Sequence, residues 1–108
     1  MGGSSAYIYD GARSGFGRHG GSLSSLRPDD MLAQVIKTLI KRNPFKANLY
    51  EDVIAGNTNQ AGEDSRNVAR FAGLLAGLPI ETGGITVNRL CGSSLAAVLD
   101  AARSVRCN

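Results

Sequence analysis

Histidine and cysteine are scarce in this chain of 108 residues, which has one histidine and two cysteines. A disulfide framework needs more cysteines than Cys91 and Cys107, so we expect both to be free thiols in a reducing setting. One histidine and two separated cysteines also make no ligand set for zinc. The sequence therefore argues against disulfide-rich and zinc-dependent proteins.

Long apolar runs and basic clusters are missing as well. No run approaches the roughly 20 residues of a membrane-spanning helix, and the first five residues resemble no signal peptide. The 12 Lys and Arg against 9 Asp and Glu give a net charge of +3. They are scattered singly, without the basic stripe of a nucleic-acid-binding face. We expect a cytoplasmic protein that binds neither membranes nor nucleic acid.

The composition that is present is typical of a globular domain, with 43% hydrophobic and 19% charged residues. This length accommodates one domain with one modest core. Residues 1–5 have the Gly/Ser composition of a tag or linker, so we assign the fold to residues 6–108.

The apolar pattern alternates between strand and helix spacing. Short β-branched or aromatic runs predict strands at residues 6–10, 53–56 and 85–87. Apolar residues three and four apart predict helices at residues 28–42, at residues 65–78 and from about residue 92 to the end. The order βαβαβα predicts a layered α/β fold with a mostly parallel sheet. Because the chain ends directly after the third helix, we expect a truncated domain.

Cys91 is the candidate nucleophile, because it follows a predicted strand and precedes a predicted helix. Free backbone N–H groups and the dipole at a helix N-terminus favour a thiolate, the nucleophilic form. The small residues Gly92, Ser93 and Ser94 would admit a substrate and leave donors for a developing oxyanion. The alternative is that Cys91 is a small buried apolar residue, the commoner role of a free cysteine.

Residues 15–20 match the glycine spacing of a dinucleotide-binding loop, but seven residues separate them from the next helix, so a surface loop is favoured. His19 lies in that loop. A dyad with Cys91 would be the simplest activated nucleophile, although a solvated loop histidine is commoner. The polar residues 57–64 follow a strand, where α/β ligand sites often lie, although many such loops are merely solvated.

Three segments, read together, resemble the N-terminal signatures of the thiolases, in the right order and spacing from Ala6 to Asn108. They are Arg13-Ser14-Gly15-Phe16-Gly17, Asn59-Gln60-Ala61-Gly62 with Asn67-Val68-Ala69-Arg70, and Asn88-Arg89-Leu90-Cys91-Gly92-Ser93. Residues 27–30 and 57–64 are most similar to the β-ketoadipyl-CoA thiolases of aromatic-compound degradation, with other degradative acetyl-CoA acyltransferases as alternatives. The family usually has Arg-Thr-Pro where this chain has Arg13-Ser14-Gly15, which loosens that loop but spares the nucleophile.

The resemblance implies an acyltransferase that uses coenzyme A as co-substrate and binds no cofactor or metal. Cys91 would attack the keto carbon of a 3-oxoacyl-CoA such as 3-oxoadipyl-CoA, acetyl-CoA would leave, and coenzyme A would then take the shortened acyl group. In the family, the activating histidine, a second cysteine and an oxyanion-positioning asparagine belong to the C-terminal half. Cys107 does not match that second cysteine, so we expect the chain alone to be inactive.

The resemblance also implies a homodimer or homotetramer, formed through the strand from Ile85 to Arg89. A hypothesis of a different class is a non-catalytic folding or self-association fragment, because exposed sheet edges invite pairing with another chain.

Overall fold

The computed structural model describes residues 5–107, in which three α-helices alternate with two β-strands. The elements are α1 (Pro28–Arg42), β1 (Asp52–Gly56), α2 (Val68–Leu75), β2 (Gly83–Val87) and α3 (Ser93–Cys107). Two short 3-10 turns, Ala47–Leu49 and Gly62–Asp64, lie in the connections. The mixed α/β class with parallel strands, predicted from the sequence, is confirmed.

Helix α1 begins and ends where the sequence predicts. Pro28 occupies the first turn with two acidic residues, and Lys41 and Arg42 lie in the last turn. These charges complement the partial charges at the two helix ends. Asn43 ends the helix, and its side-chain amide donates to the Leu39 carbonyl at 2.7 Å.

Strands β1 and β2 form a two-stranded parallel sheet in which Ile54 lies opposite Ile85. Helix α2 is the crossover between them and packs on β2, whereas α3 packs on β1. Because the strands are parallel, their carboxyl ends meet at one edge, where the Asn57 N–H donates to the Val87 carbonyl at 3.0 Å. The residues that follow the two strands therefore lie at the same edge of the sheet.

The core is small and consists mainly of alanine. Ala33 of α1 packs against Ala72 and Ala76 of α2, with Leu32 and Ile36 partly buried beside them. Small side chains allow the helices to approach closely but remove little apolar area from water. The hydrophobic stabilisation within residues 5–107 is therefore modest.

The predicted first strand, residues 6–10, is wrong. These residues form no strand, and Tyr7 and Ile8 are 86% and 87% exposed. Aromatic and β-branched residues favour a pleated surface but do not supply a pairing partner, and β1 and β2 pair only with each other among the described residues. The segment is instead attached to α1, where hydrogen bonds from Arg42 and Asn43 hold the pKa of Asp10 well below its usual range. Of the expected linker, residues 1–4 lie outside the described residues.

Helix α2 is shorter than predicted at both ends. Ser65 and Arg66 adopt left-handed backbone angles, with φ of 54° and 68°, so the helix cannot begin there. The Asn67 side chain caps it by accepting from the Arg70 N–H at 3.4 Å. Gly77, with φ of 93°, follows its end.

A close backbone contact joins the end of β1 to the start of α3. A Cβ atom on Gly56 would lie 2.3 Å from the Ser93 carbonyl carbon and 2.4 Å from the Ser94 nitrogen. No side chain fits there, because both neighbours are backbone atoms that cannot rotate away. Glycine is therefore required at position 56.

We expect Gly56→Ala to lower the free energy of unfolding by about 2 kcal/mol or more, because the added methyl group must push α3 away from β1. The matched control is Gly15→Ala, where a Cβ would meet nothing within 4 Å. Urea denaturation followed by circular dichroism measures both variants. Equal midpoints for the two variants would contradict the proposed contact.

Asp29 is the most buried carboxylate of α1, at 4% exposed, and Arg27 holds it with two hydrogen bonds of 3.1 Å. These bonds lower the pKa of Asp29 below its ordinary value of 3.8 in spite of burial. A carboxyl group with a lowered folded-state pKa stabilises the fold above its unfolded-state pKa, and this contribution is lost as the pH falls through the folded-state value.

We therefore expect Asp29→Asn to lower the melting temperature at pH 7, with a difference from wild type that shrinks below about pH 4. Thermal unfolding at pH 7, 5 and 3 measures this dependence. Glu81→Gln, which removes an exposed carboxylate, is the control. A difference that stays constant down to pH 3 would rule out the ionised pair as its cause.

Candidate active site

Cys91 lies in the turn between β2 and α3 and is exposed. The turn is tight, because the Gly92 N–H donates to the Arg89 carbonyl at 3.1 Å and Leu90 adopts a left-handed φ of 52°. The Gly92 carbonyl accepts from the Ala96 N–H at 2.9 Å, so the helical hydrogen bonds begin one residue after Cys91. The predicted position beside the start of the third helix is confirmed. Within residues 5–107, Cys91 is not the buried apolar residue of the alternative interpretation.

Residues 88–92, which connect β2 to α3, form the turn that carries Cys91 and are called the cysteine turn. Ser93 stabilises this turn with hydrogen bonds from its buried hydroxyl. Its side chain is almost fully buried, and its hydroxyl donates to the Leu90 carbonyl at 2.6 Å and accepts from the Arg89 N–H at 2.9 Å. The Ser93 N–H also donates to the Leu90 carbonyl at 3.1 Å. Ser93 therefore joins both sides of the turn through one hydroxyl.

Thr58, in the loop that follows β1, also binds the cysteine turn. Its hydroxyl donates to the Leu90 carbonyl at 2.8 Å, and its carbonyl accepts from the Asn88 side-chain amide at 3.0 Å. The Asn88 side-chain oxygen in turn accepts from the Leu90 N–H at 2.8 Å. The polar loop after β1 is therefore not merely solvated, because it supports the cysteine turn.

Asp64 holds the loop that carries Thr58. It is 7% exposed, and one carboxylate oxygen accepts from the Asn57 side-chain amide at 2.9 Å and from the Ala61 N–H at 3.1 Å. The neighbouring Glu63 contacts Arg27 at 3.5 Å, which links the loop to the start of α1. These contacts fix the loop at both its ends.

Two signature residues, Asn67 and Arg70, have structural contacts. Asn67 donates to the Gly84 carbonyl at 3.0 Å and accepts from the Thr86 hydroxyl at 2.8 Å. The Arg70 guanidinium donates to the carbonyls of Ile80 and Thr82 at 3.2 and 2.6 Å. Both residues attach α2 to β2 and the segment before it.

His19 lies in an exposed turn, and no hydrogen bond joins it to Cys91 among residues 5–107. The glycines around it do not open a helix, since α1 begins only at Pro28, so the dinucleotide-binding alternative is not supported. Cys107 ends α3, about 20 Å along the helix axis from Cys91 by the ordinary helical rise. The structure therefore brings neither residue to Cys91.

The described part of the chain lacks two other features, a metal-binding cluster and a membrane-spanning helix. Residues 5–107 contain no cluster of three His, Cys, Asp or Glu that could hold a metal ion. No helix among them is long and apolar enough to cross a membrane.

The sequence did not predict that Thr58, Asn88 and Ser93 hold the turn around Cys91. The expectation that Ser93 leaves a donor for an oxyanion is wrong within residues 5–107, because its hydroxyl and its N–H both donate to the Leu90 carbonyl. Asn88 and Ser93 carry a local signal, because Asn and Ser side chains often bond the backbone two to four residues away in turns. Thr58 carries none, since its partner lies 32 residues away in the chain.

The arrangement presents an exposed thiol beside a helix N-terminus, in a turn fixed by hydrogen bonds from two sides. Such a position suits a nucleophile, because the helix dipole favours negative charge there. A general base hydrogen-bonded to the sulfur is absent from residues 5–107. The geometry therefore presents an exposed thiol with no general base beside it in residues 5–107.

The chain is similar in sequence to several known proteins. The chain is 55% identical to the 3-oxoadipyl-CoA/3-oxo-5,6-dehydrosuberyl-CoA thiolase of Escherichia coli strain K12 over 102 residues, which cover 94% of this chain and 25% of that protein. It is 54% identical to the beta-ketoadipyl-CoA thiolase of Acinetobacter baylyi with the same coverage. The chain thus spans about a quarter of the length of these relatives.

Solved structures show the same fold. Human mitochondrial 3-ketoacyl-CoA thiolase in complex with CoA superposes with a TM-score of 0.79 and 30% identity, over 86% of this chain and 24% of that one. The acetyl-CoA acetyltransferase of Bacillus anthracis gives 0.74 and 31%, over 81% and 22%. The sequence pattern of the family described as "Thiolase, N-terminal domain" matches residues 6–108. The resemblance predicted from the signatures is confirmed, and the chain belongs to the thiolase family, within its N-terminal domain.

Proposed function

We propose that Cys91 is the acyl-carrying nucleophile of a thiolase that cleaves a 3-oxoacyl-CoA with coenzyme A. The observation that carries the proposal is the exposed thiol in a hydrogen-bonded turn at the start of α3. That turn lies within the part of the chain that the thiolase family matches. Residues 6–108 are, on this proposal, the N-terminal part of the catalytic subunit's first domain.

The reaction proceeds in two steps. The Cys91 thiolate adds to the 3-keto carbon, the bond between C2 and C3 breaks, and its electron pair stays on C2, which takes a proton to give acetyl-CoA. The shortened acyl group remains on the sulfur as a thioester. The thiol of coenzyme A gives up its proton and attacks this thioester, which releases the new acyl-CoA and restores the thiolate.

The substrate we propose is 3-oxoadipyl-CoA. The support is the name of the Escherichia coli relative, which includes 3-oxoadipyl-CoA, and the beta-ketoadipyl-CoA thiolases that are 54% identical to this chain over 25% of their own length. Coenzyme A as co-substrate is supported by the human relative, whose structure contains CoA. The cytoplasmic location expected from the sequence stays a prediction.

We expect Cys91→Ala, in the full-length protein that contains this chain, to lower thiolysis of 3-oxoadipyl-CoA by about a thousand-fold or more, because the covalent step is lost. The control is Cys107→Ala, which should keep wild-type activity because Cys107 is far along α3. A spectrophotometric assay of 3-oxoacyl-CoA consumption measures both. Rapid quenching and peptide mass analysis should locate the acyl group on Cys91.

An acyl group found on another residue, or full activity in Cys91→Ala, would contradict the assignment. The isolated chain of 108 residues should not turn over the substrate in the same assay, because His19 and Cys107 are not placed to act on Cys91. A chain that turned over alone would show that its own residues supply the base.

A second role, self-association, is favoured by the open edge of the sheet. Among the described residues β2 pairs only with β1, so its other edge has unpaired backbone groups. The predicted strand from Ile85 to Arg89 corresponds to β2, which ends at Val87. We propose that the segment from Ile85 to Arg89 pairs with a second copy of the chain, which an exposed sheet edge promotes.

We expect Ile85→Lys to convert the dimer to a monomer, because a charge in the middle of an edge strand disfavours pairing. Ile80→Lys is the matched control, since Ile80 is 72% exposed and lies before the strand. Light scattering after size-exclusion chromatography measures the mass of each. A dimer that survives Ile85→Lys would exclude this edge as the interface.

A further inference from the structure

We propose that Thr58 is a positioning residue for Cys91, and that its hydroxyl sets the orientation of the thiol by holding the Leu90 carbonyl. This inference rests on the proposed function of Cys91 as a nucleophile. Thr58 belongs to the loop after β1 and binds the cysteine turn through hydrogen bonds of 2.8 and 3.0 Å.

The cysteine turn depends on hydrogen bonds because packing does little for it. Leu90 adopts a left-handed φ of 52°, which is unfavourable for a residue with a Cβ atom. Its side chain is 67% exposed and therefore contributes little burial. The left-handed conformation must be maintained by the groups that bind the Leu90 backbone.

Three hydrogen bonds close a ring between the two loops. The Thr58 hydroxyl donates to the Leu90 carbonyl, the Leu90 N–H donates to the Asn88 side chain, and the Asn88 amide donates back to the Thr58 carbonyl. Both backbone polar groups of Leu90 are thus used. The Leu90 carbonyl belongs to the same peptide unit as the Cys91 nitrogen, so the ring acts one bond from the Cys91 backbone.

Thr58 differs from Ser93 in what it attaches the turn to. The hydroxyl of Ser93 bonds groups three and four residues away, so it moves together with α3. Thr58 stands two residues after Gly56, whose backbone touches the start of α3, and its loop is held by the buried Asp64. Thr58 therefore anchors the turn to the sheet.

Loss of this anchor should affect the chemical step more than substrate binding. Attack on a carbonyl requires the sulfur to lie within a narrow range of distance and direction, and a turn free to shift spends less time there. This effect lowers reactivity without removing a contact to the substrate.

The test compares Thr58→Val, which has nearly the same shape without the hydroxyl, with Thr58→Ser, which keeps it. We expect Thr58→Val to lower kcat about three- to ten-fold while KM stays within about two-fold, as for the loss of one hydrogen bond. Thr58→Ser should stay within about two-fold of wild type in both constants. Steady-state kinetics of the full-length protein with 3-oxoadipyl-CoA measure these values.

A second readout does not require turnover. Limiting iodoacetamide at neutral pH, followed by peptide mapping, gives the alkylation rates of Cys91 and Cys107 in the same sample. Thr58→Val should lower the rate at Cys91 by about three-fold or more and leave the rate at Cys107 unchanged. If the full-length protein had no thiolase activity, the proposed function would fail, yet this ratio would still test the positioning.

Wild-type kcat and wild-type alkylation of Cys91 in Thr58→Val would overturn the proposal. So would an equal loss in Thr58→Ser, because the hydroxyl would then not be responsible. If Thr58→Val does not fold, as shown by loss of the helical circular dichroism signal, Asn88→Ala opens the same ring from its other side. That variant should lower the rate at Cys91 selectively, and an unchanged rate there would equally reject the ring as a positioning device.

Discussion

The contact between Gly56 and the backbone of Ser93 is the constraint on which the rest of the structure depends. It fixes the carboxyl end of β1 against the beginning of α3 with no side chain between them. Because β1 and β2 are parallel, the same contact brings the segments that follow both strands to one edge. The hydrogen bond from Thr58 to Leu90 joins these two segments, which lie 32 residues apart in the chain, and this spacing brings them together.

The sequence predicted those parts of the structure whose causes are local. Pro28 and its acidic neighbours specify the start of α1, and the run from Val53 to Gly56 specifies β1, because the relevant interactions lie within a few residues. The predicted first strand failed because strand formation requires a partner, which residues 6–10 lack in the described chain. Helix α2 was predicted to start too early because Ser65 and Arg66 adopt left-handed backbone angles, which normally occur at glycine.

The candidate site likewise combines a feature with a local cause and features with long-range causes. Cys91 could be predicted because a cysteine between a strand and a glycine-serine helix start is a local pattern. The contact of Thr58 could not be predicted. Its partner is a backbone carbonyl, a group that every residue has, so the sequence does not show which one it binds. The sheet register and the glycine contact bring the two together, and both are long-range features. Local patterns therefore single out the candidate thiol, whereas the atoms that hold the turn around it become visible only in the fold.

The hydrogen bonds also separate the signature residues whose side chains hold the fold from Cys91, whose thiol is exposed. Asn67, Arg70 and Asn88 belong to the segments that resemble the thiolases, and each uses its side chain to bind backbone groups. A side chain bonded in this way stabilises the fold and is not free to react. Cys91 is exposed, and its sulfur has no hydrogen bond within residues 5–107. A motif shared by a family thus has two parts with different physical requirements. The polar part is satisfied by hydrogen bonds, so that the turn holds its shape, and the thiol is left exposed.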